Sequence, residues 1–165
     1  MTEATRFPYG MNQAFTSGVF AAQTGTATMD STTAVQACVN GIFVTALAAL
    51  TNQVFVPVSA DDGSTTIVFT SLAANQACNF ISCVNSAGAI KHLQGPIIDL
   101  ETDGTFKTAL GFGPIPDTLT PIAIHKVVCG STSSGFIPGT TFWDATGVTT
   151  TVYNISMLPK RPFTS

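Results

Sequence analysis

The chain has 165 residues, a formal net charge of −3 and only 9% charged side chains, against about 25% in an average soluble domain. Two Glu and four Lys are too few for a coiled coil. Six scattered Lys and Arg residues do not form the basic cluster of a protein that binds nucleic-acid phosphates. The 26 Thr and 12 Ser predict a surface of hydroxyls and amides. Such a composition fits a protein that is assembled into something larger.

The N-terminal 30 residues are rich in Gly, Thr, Ala and Gln and show no strong periodicity. We interpret them as an N-terminal arm and entry segment (1–30), followed by one β-rich domain (31–158) and a C-terminal tail (159–165). The start lacks the basic and apolar runs of a signal peptide. The most apolar stretch, 41–50, is shorter than the roughly 20 residues of a membrane span. Aromatic residues predict that the arm docks on a surface, either of its own domain or of a neighbour.

Residues 33–50 are ambiguous between helix and strand. Ala favours a helix, whereas Gly41 and the β-branched residues around it favour a strand, and we predict a strand near 41–46. A turn at 61–64 predicts a β-hairpin between its flanking runs, Asp103-Gly104 predicts a tight turn, and two prolines make 111–117 irregular. The other predicted strands are 53–58, 65–70, 79–84, 90–93, 96–100, 121–129, 140–144 and 148–156.

The abundance of Thr, Val, Ile and Phe in these runs predicts a mainly β fold. We expect a single compact antiparallel β-sandwich, jelly-roll or small barrel, with extended N- and C-terminal arms. The strand signals are shared by all three architectures, so the sequence does not choose among them.

Catalytic chemistry has little support in the sequence. His92 and His125 are the only imidazoles. Alternation along 121–129 places His125 on one face with Ala123 and Val127, which favours a partly buried structural histidine over a catalytic base. The chain has no Gly-x-Ser-x-Gly, P-loop or His-Glu-x-x-His motif. We therefore expect no enzymatic activity and no cofactor; a small hydrolase with a site around His125 and Asp144 is the enzymatic alternative.

Metal binding is also weakly supported. Four residues separate Cys78 from Cys83, a spacing compatible with a zinc-ligand pair, but the other candidate ligands are dispersed. Asp99, Glu101 and Asp103 alternate and could bind calcium, although three carboxylates fall short of the six or more oxygens that calcium takes. We favour an exposed turn for these acids, no metal, and reduced cysteines that act as small buried hydrophobes. The cysteines are Cys38, Cys78, Cys83 and Cys129.

Two parts of the sequence resemble a known group. The opening Thr5-Arg6-Phe7-Pro8-Tyr9-Gly10 and the stretches 114–123 and 139–148 are similar to small virion structural proteins of tailed bacteriophages, notably marine and cyanobacterial ones. The resemblance implies a capsid decoration (cement) protein, made in the host cytoplasm and located on the outer capsid surface. Its implied partners are the major capsid protein and copies of itself, as a homotrimer, with no nucleic acid or membrane.

The two chain ends carry the residues that we predict to contact a partner. Aromatic residues on extended, proline-bearing arms are suited to bridging subunits. The predicted partner-binding residues are Arg6, Phe7, Tyr9, Phe15, Arg161 and Phe163.

The alternative function is a head-fibre or tail-fibre receptor module that binds glycans. Exposed Trp143, Tyr153 or Phe142 would then form a sugar platform. Against this, large aromatic residues dominate protein cores, which favours a buried Trp143.

Overall fold

The computed structural model describes residues 12–16, 19–22 and 25–155, with the backbone alone at 45–47. The regular elements of this part of the chain are ten strands, and none of its residues is helical. The strands are β1 (Gln13–Thr16), β2 (Phe20–Ala22), β3 (Met29–Ser31), β4 (Val35–Val39), β5 (Ile42–Leu47), β6 (Gln76–Asn85), β7 (Ile90–Gln94), β8 (Ile98–Asp99), β9 (Leu119–Cys129) and β10 (Val148–Asn154).

The strands form three antiparallel sheets. The largest has the order β10-β9-β6-β7, with β8 also paired to β6; a second has the order β1-β4-β5; and β2 pairs with β3. The long strands β6 and β9 pair along nearly their whole length at the centre of the largest sheet. Eight consecutive residues of β6 are buried, because other parts of the chain cover both faces of this sheet.

The ambiguous segment 33–50 is a β-hairpin, not a helix. The strand predicted near 41–46 is confirmed as β5, and β4 is its partner. Asn40 and Gly41 form the two-residue turn, with φ of +48° and +77°. Positive φ at both central turn residues is the geometry for which Asn-Gly is favoured, because it matches the twist of the flanking strands.

Four of the other eight strand predictions are confirmed. The runs 79–84, 90–93, 121–129 and 148–156 coincide with most of β6, β7, β9 and β10, while the run 96–100 contributes only the two residues of β8. The strands predicted at 53–58 and 65–70 are wrong, because neither run forms a regular strand. The predicted hairpin around 61–64 forms, but through an isolated bridge between Val58 and Thr66 rather than through regular strands. Asp103-Gly104 turns the chain, with the Glu101 N–H donating to the Thr105 carbonyl at 2.8 Å.

The strand predicted at 140–144 is wrong. The N–H groups of Thr140 and Thr141 both donate to the carbonyl of Ile137, at 3.2 and 2.9 Å, and this closes a turn. The turn delivers Trp143 into the core, where its side chain is 2% exposed. Tertiary burial of this one large side chain therefore overrides the β preference of its neighbours.

The described part of the entry segment packs on its own domain. Strand β1 pairs with β4, and the ring of Phe20 meets His125 edge-on at 6.1 Å between centroids. The Asn12 side chain donates to the Asp117 carbonyl at 2.9 Å. The other residues of the predicted arm and entry segment (1–11, 17–18 and 23–24) and the whole predicted C-terminal tail (159–165) lie outside the described residues.

The fold is mainly β and is best described as a sandwich with open sheet edges, not as a closed barrel. The three-stranded sheet packs on the larger sheet through small apolar side chains from β4, β6 and β9, such as Val35, Val84 and Ala123. A buried hydrogen bond joins the same layers, since the Thr120 hydroxyl donates to the Cys38 carbonyl at 2.7 Å. A second cluster, which holds Trp143 and Phe80, fills the adjoining half of the same interior.

Candidate functional site

Phe15 is the predicted partner-binding residue that falls within the described part of the chain, and it lies in β1. Its ring packs against Phe43 of β5, with centroids 5.8 Å apart and planes tilted by 35°. Because β4 separates β1 from β5, the two rings meet over the middle strand of the sheet. The other predicted contact residues lie outside the described ranges: Arg6, Phe7, Tyr9, Arg161 and Phe163.

Phe15 lies on the outer side of this sheet because its neighbour Ala14 points into the core. The pairing with β4 shifts register between Ala14 and Thr16, which leaves Phe15 as the extra residue. Phe43 reaches the same side because its neighbour Val44 points into the core. We call this surface the Phe15–Phe43 face; its members are Gln13, Phe15, Gln36, Phe43 and the buried Cys38, which pairs with both Gln13 and Phe43.

The Phe15–Phe43 face is uncharged and partly apolar. Strands β1, β4 and β5 contain no Asp, Glu, Lys or Arg. Phe43 is 44% exposed, while Ile42, the preceding residue of β5, points to the other side of the sheet by alternation. Burying such a face against a partner removes apolar area from water. Because no charge is desolvated, the association does not carry the desolvation penalty of a buried ion.

Other large apolar side chains are exposed on loops and strand ends elsewhere in the molecule. They are distributed over several surfaces rather than confined to one. Single exposed apolar residues are common on soluble proteins, so their distribution alone identifies no site. The exposed residues outside the Phe15–Phe43 face are Val19, Ile42, Val54, Ile67, Val68, Phe106, Phe112, Ile115, Phe142 and Tyr153.

A second unusual feature is a row of polar side chains inside the larger sheet. The ladder places Ser82 of β6 directly opposite His92 of β7. On its other side Ser82 pairs with Ala123 of β9, and His125 lies two residues further along β9 on the same face. The Ser82 Oγ and the His125 Nε2 are 2.6 Å apart. All three side chains have no exposed surface. We call them the buried polar row.

Aromatic rings seal the buried polar row. Phe55 stacks on His92 at 3.9 Å between centroids, and its ring also lies 4.9 Å from Trp143. The Val56 N–H donates to the His92 Nδ1 at 2.9 Å. Burial lowers the pKa of both His92 and His125 to about 3, so both imidazoles are neutral at pH 7.

The buried polar row has the spacing of a nucleophile and its base but not their surroundings. Within the described residues, the His125 Nδ1 has no hydrogen-bond partner, so no carboxylate orients the ring. Asp144, the acid suggested by the sequence, instead accepts the Gly25 N–H on both oxygens at 3.0 Å. The structure thus does not join His125 to Asp144, and it places His125 deeper than the partly buried position predicted.

Sequence reasoning named His92 and His125 but left the face of His92 open and did not single out Ser82. Alternation along 121–129 shows which residues share a face with His125. It cannot show that Ser82 and His92 lie on neighbouring strands, since the register between distant strands is set by packing.

The residues considered for metal binding have other roles in the structure. The Asp103 carboxylate accepts hydrogen bonds from the Thr105 N–H and hydroxyl at 2.9 and 2.7 Å, and Asp99 accepts one from the Gln76 side chain at 3.0 Å. Both acids are exposed, as expected for a turn. All four cysteines are buried and free.

Across the described ranges, no group of three or more His, Cys, Asp or Glu side chains could hold a metal ion. None of the described residues belongs to a helix long and apolar enough to cross a membrane. Searches against known protein families, curated proteins and solved structures returned no match.

Proposed function

We propose that the chain is a non-enzymatic virion structural protein, a decoration (cement) protein that binds the outer surface of the major capsid protein shell and stabilises it. The observation that carries this proposal is the Phe15–Phe43 face, which is uncharged, half-exposed and backed by a rigid sheet. The motifs at 5–10, 114–123 and 139–148, which resemble those of phage virion proteins, direct the choice of partner.

The physical argument concerns desolvation and rigidity. A decoration protein must bury one of its own surfaces on a preformed shell, and each square ångström of apolar surface removed from water contributes roughly 25 cal/mol. The Phe15 and Phe43 rings are already packed together before binding. Their side-chain ordering therefore adds little entropic cost on association.

The composition supports the same role. With 9% charged residues, the chain has few ions that would need counter-charges in a crowded assembly. The role requires no cofactor, nucleic acid or membrane, and places the protein on the virion after synthesis in the host cytoplasm. Copies of the chain are also proposed as partners. The homotrimer expected from the resemblance stays a prediction, and it is an alternative to a twofold pairing of two copies.

Co-sedimentation with empty tailed-phage capsids tests the proposal. Wild-type protein is expected to pellet with the shells and to raise the temperature at which they open. Phe43→Ser should weaken binding at least about tenfold, as central aromatic contacts do. Phe112→Ser is the matched control, because Phe112 is 56% exposed on a loop remote from β5 in the chain.

Two outcomes would contradict the proposal. The first is wild-type protein that stays in the supernatant at every shell concentration. The second is a Phe43→Ser variant that folds and binds as tightly as the wild type, which would remove the Phe15–Phe43 face from the contact. Deleting residues 1–10 separates the contribution of the arm, which we expect to weaken attachment while the domain still folds.

A glycan-binding fibre module is the second candidate, and one observation favours it. Phe142 and Tyr153 are each 51% exposed, as a sugar platform requires. Trp143 cannot contribute, because it is buried against Phe55 and Phe136. Binding to a glycan array that Phe142→Ala abolishes would support this function, and an array without any bound glycan would refute it.

A further inference from the structure

Strand β10 is the edge of the largest sheet, and its ladder shows which backbone groups point outward. The Gly130 N–H donates to the Gly147 carbonyl at 2.8 Å, and the Ile155 N–H donates to the Ile122 carbonyl at 3.0 Å. In an antiparallel pair the inward-bonded residues alternate. The backbone groups of residues 149, 151 and 153 therefore face β9, whereas those of 148, 150, 152 and 154 face away from the sheet.

The outward groups at the middle of β10 have no partner in the described part of the chain. No described backbone group bonds the N–H or carbonyl of Thr150 or Val152. The opposite edge of the sheet is different, because residues 56–58 cover β7 through bonds such as Val58 N–H to the His92 carbonyl at 3.0 Å. Within the described residues, one edge of this sheet is thus closed by residues 56–58, whereas the middle of the other edge has no backbone partner. The end of that edge is contacted by β2, where the Phe20 N–H donates to the Asn154 Oδ1 at 2.7 Å.

Strand β10 also lacks the features that keep an edge strand from pairing. Protected edges carry a charge, a proline, a bulge or a very short strand. Residues 148–154 read Val-Thr-Thr-Thr-Val-Tyr-Asn, with no charge and no proline. Their seven pairings with β9 run without a register shift. An open, regular and uncharged edge of this length is suited to accept another strand.

We propose that β10 pairs with β10 of a second copy of this chain, antiparallel about a twofold axis at Thr151. In this register Thr150 of each copy lies opposite Val152 of the other copy. Each of these two pairs forms two backbone hydrogen bonds, which gives four in total. The contact is isologous, so it joins two copies and closes.

The side chains on the exposed side of β10 fit this register. Thr151 of one copy lies opposite Thr151 of the other, and Thr149 lies opposite Tyr153. Facing Thr residues and aromatic–β-branched pairs are both favourable across antiparallel strands. All three side chains are exposed in the single chain, and since none is charged, the twofold apposition brings no like charges together. A strand of another protein would need its own match to this pattern, whereas a second copy supplies it.

The mass of the purified chain in solution tests the inference, independently of any capsid. Sedimentation velocity from about 1 µM to 1 mM should show a shift from one chain mass of 17.1 kDa to two. Thr151→Lys places two cations on the axis and should raise the dissociation constant at least about tenfold. Ser86→Lys is the matched control, since it adds the same charge at an exposed turn between β6 and β7.

Charge pairing and amide exchange distinguish a loss of strand pairing from a variant that fails to fold. Thr151→Lys and Thr151→Glu should each be monomeric, and their mixture should form dimers again. In the wild type, amides of Thr150 and Val152 should exchange more slowly as concentration rises, while the amide of Thr151, bonded to β9, should be protected at every concentration.

Three results would overturn the inference. They are a single-chain mass throughout the concentration range, an association unaffected by Thr151→Lys, and a mass of three chains, which an isologous contact cannot produce. Failure to bind capsids would leave this inference intact, because its measurements use the isolated chain.

Discussion

Lowering the pH from 7 to 5 is expected to destabilise the fold through His92 and His125. Burial holds the pKa of each imidazole at about 3, against 6.5 in the unfolded chain. Because the folded value is the lower one, the unfolded state binds protons first as the pH falls below about 6.5. Stability is complete above that pH and is lost progressively down to about pH 3.

The size of the effect follows from the two pKa values. A pH of 5 lies about 1.5 units below the pKa of the unfolded imidazole, and each unit corresponds to 1.36 kcal/mol of free energy. The loss is thus about 2 kcal/mol for each histidine and about 4 kcal/mol for both. A typical domain has only about 5–15 kcal/mol of stability in total, so such a loss is easily measured.

No described group near the buried polar row compensates a protonated imidazole. The strands and rings that pack on it contribute Ser82, Phe55 and Trp143 but no carboxylate. Lys91 and Lys126 neighbour the histidines in sequence, but alternation places their side chains on the opposite face of the sheet. Their positive charges also oppose a further cation.

Urea unfolding between pH 8 and pH 5, followed by the fluorescence of Trp143, measures this loss directly. Trp143 is the single tryptophan and lies 5.9 Å from His125 between ring centroids. His92→Gln and His125→Gln should each remove about half of the pH dependence. Asp62 does not titrate in this window, because hydrogen bonds from Thr65 and Ser64 lower the pKa of its carboxyl group.

The reasoning would be refuted by an unfolding free energy that stays constant from pH 7 to pH 5. It would also be refuted if the double variant His92→Gln/His125→Gln lost as much stability as the wild type. Either result would mean that the imidazoles are not held neutral by the core.

The remaining predictions concern a glycine turn and the buried thiols. Gly147→Ala should lower the free energy of unfolding by about 2–4 kcal/mol in urea titrations, because φ is +77° and the new Cβ would lie 2.5 Å from the Ser133 nitrogen. Gly104→Ala has a similar φ of +83° but open space, so it should cost only about 1 kcal/mol; equal losses would disprove the steric argument. Burial raises the pKa of the Cys78 and Cys83 thiols to about 12. Iodoacetamide at pH 8 should therefore alkylate these two thiols only in urea. Rapid alkylation of the native chain, seen by intact mass, would contradict their burial.

The candidate surface was only partly predictable from the sequence. Phe15 is marked by its place on an aromatic, charge-poor segment, whereas its partner Phe43 is, in the sequence, simply part of the apolar run 41–50. The two residues meet because β1 and β5 both pair with β4 and alternation turns both rings to its outer side. Such a contact depends on strand order, which alternation along one strand does not contain.

The sequence by itself determined the local features of this protein: its β class, its low content of charged residues and several of its turns. These depend on backbone preferences and on composition, and both act within a few residues, as the Asn40-Gly41 turn shows. Only the tertiary structure decided that Trp143 is buried, that His92, Ser82 and His125 form one row, and that β10 is an edge strand of the largest sheet. Each of these features depends on the register or order of strands that are distant along the chain. Register and order are set by the packing of side chains from all of these strands at once.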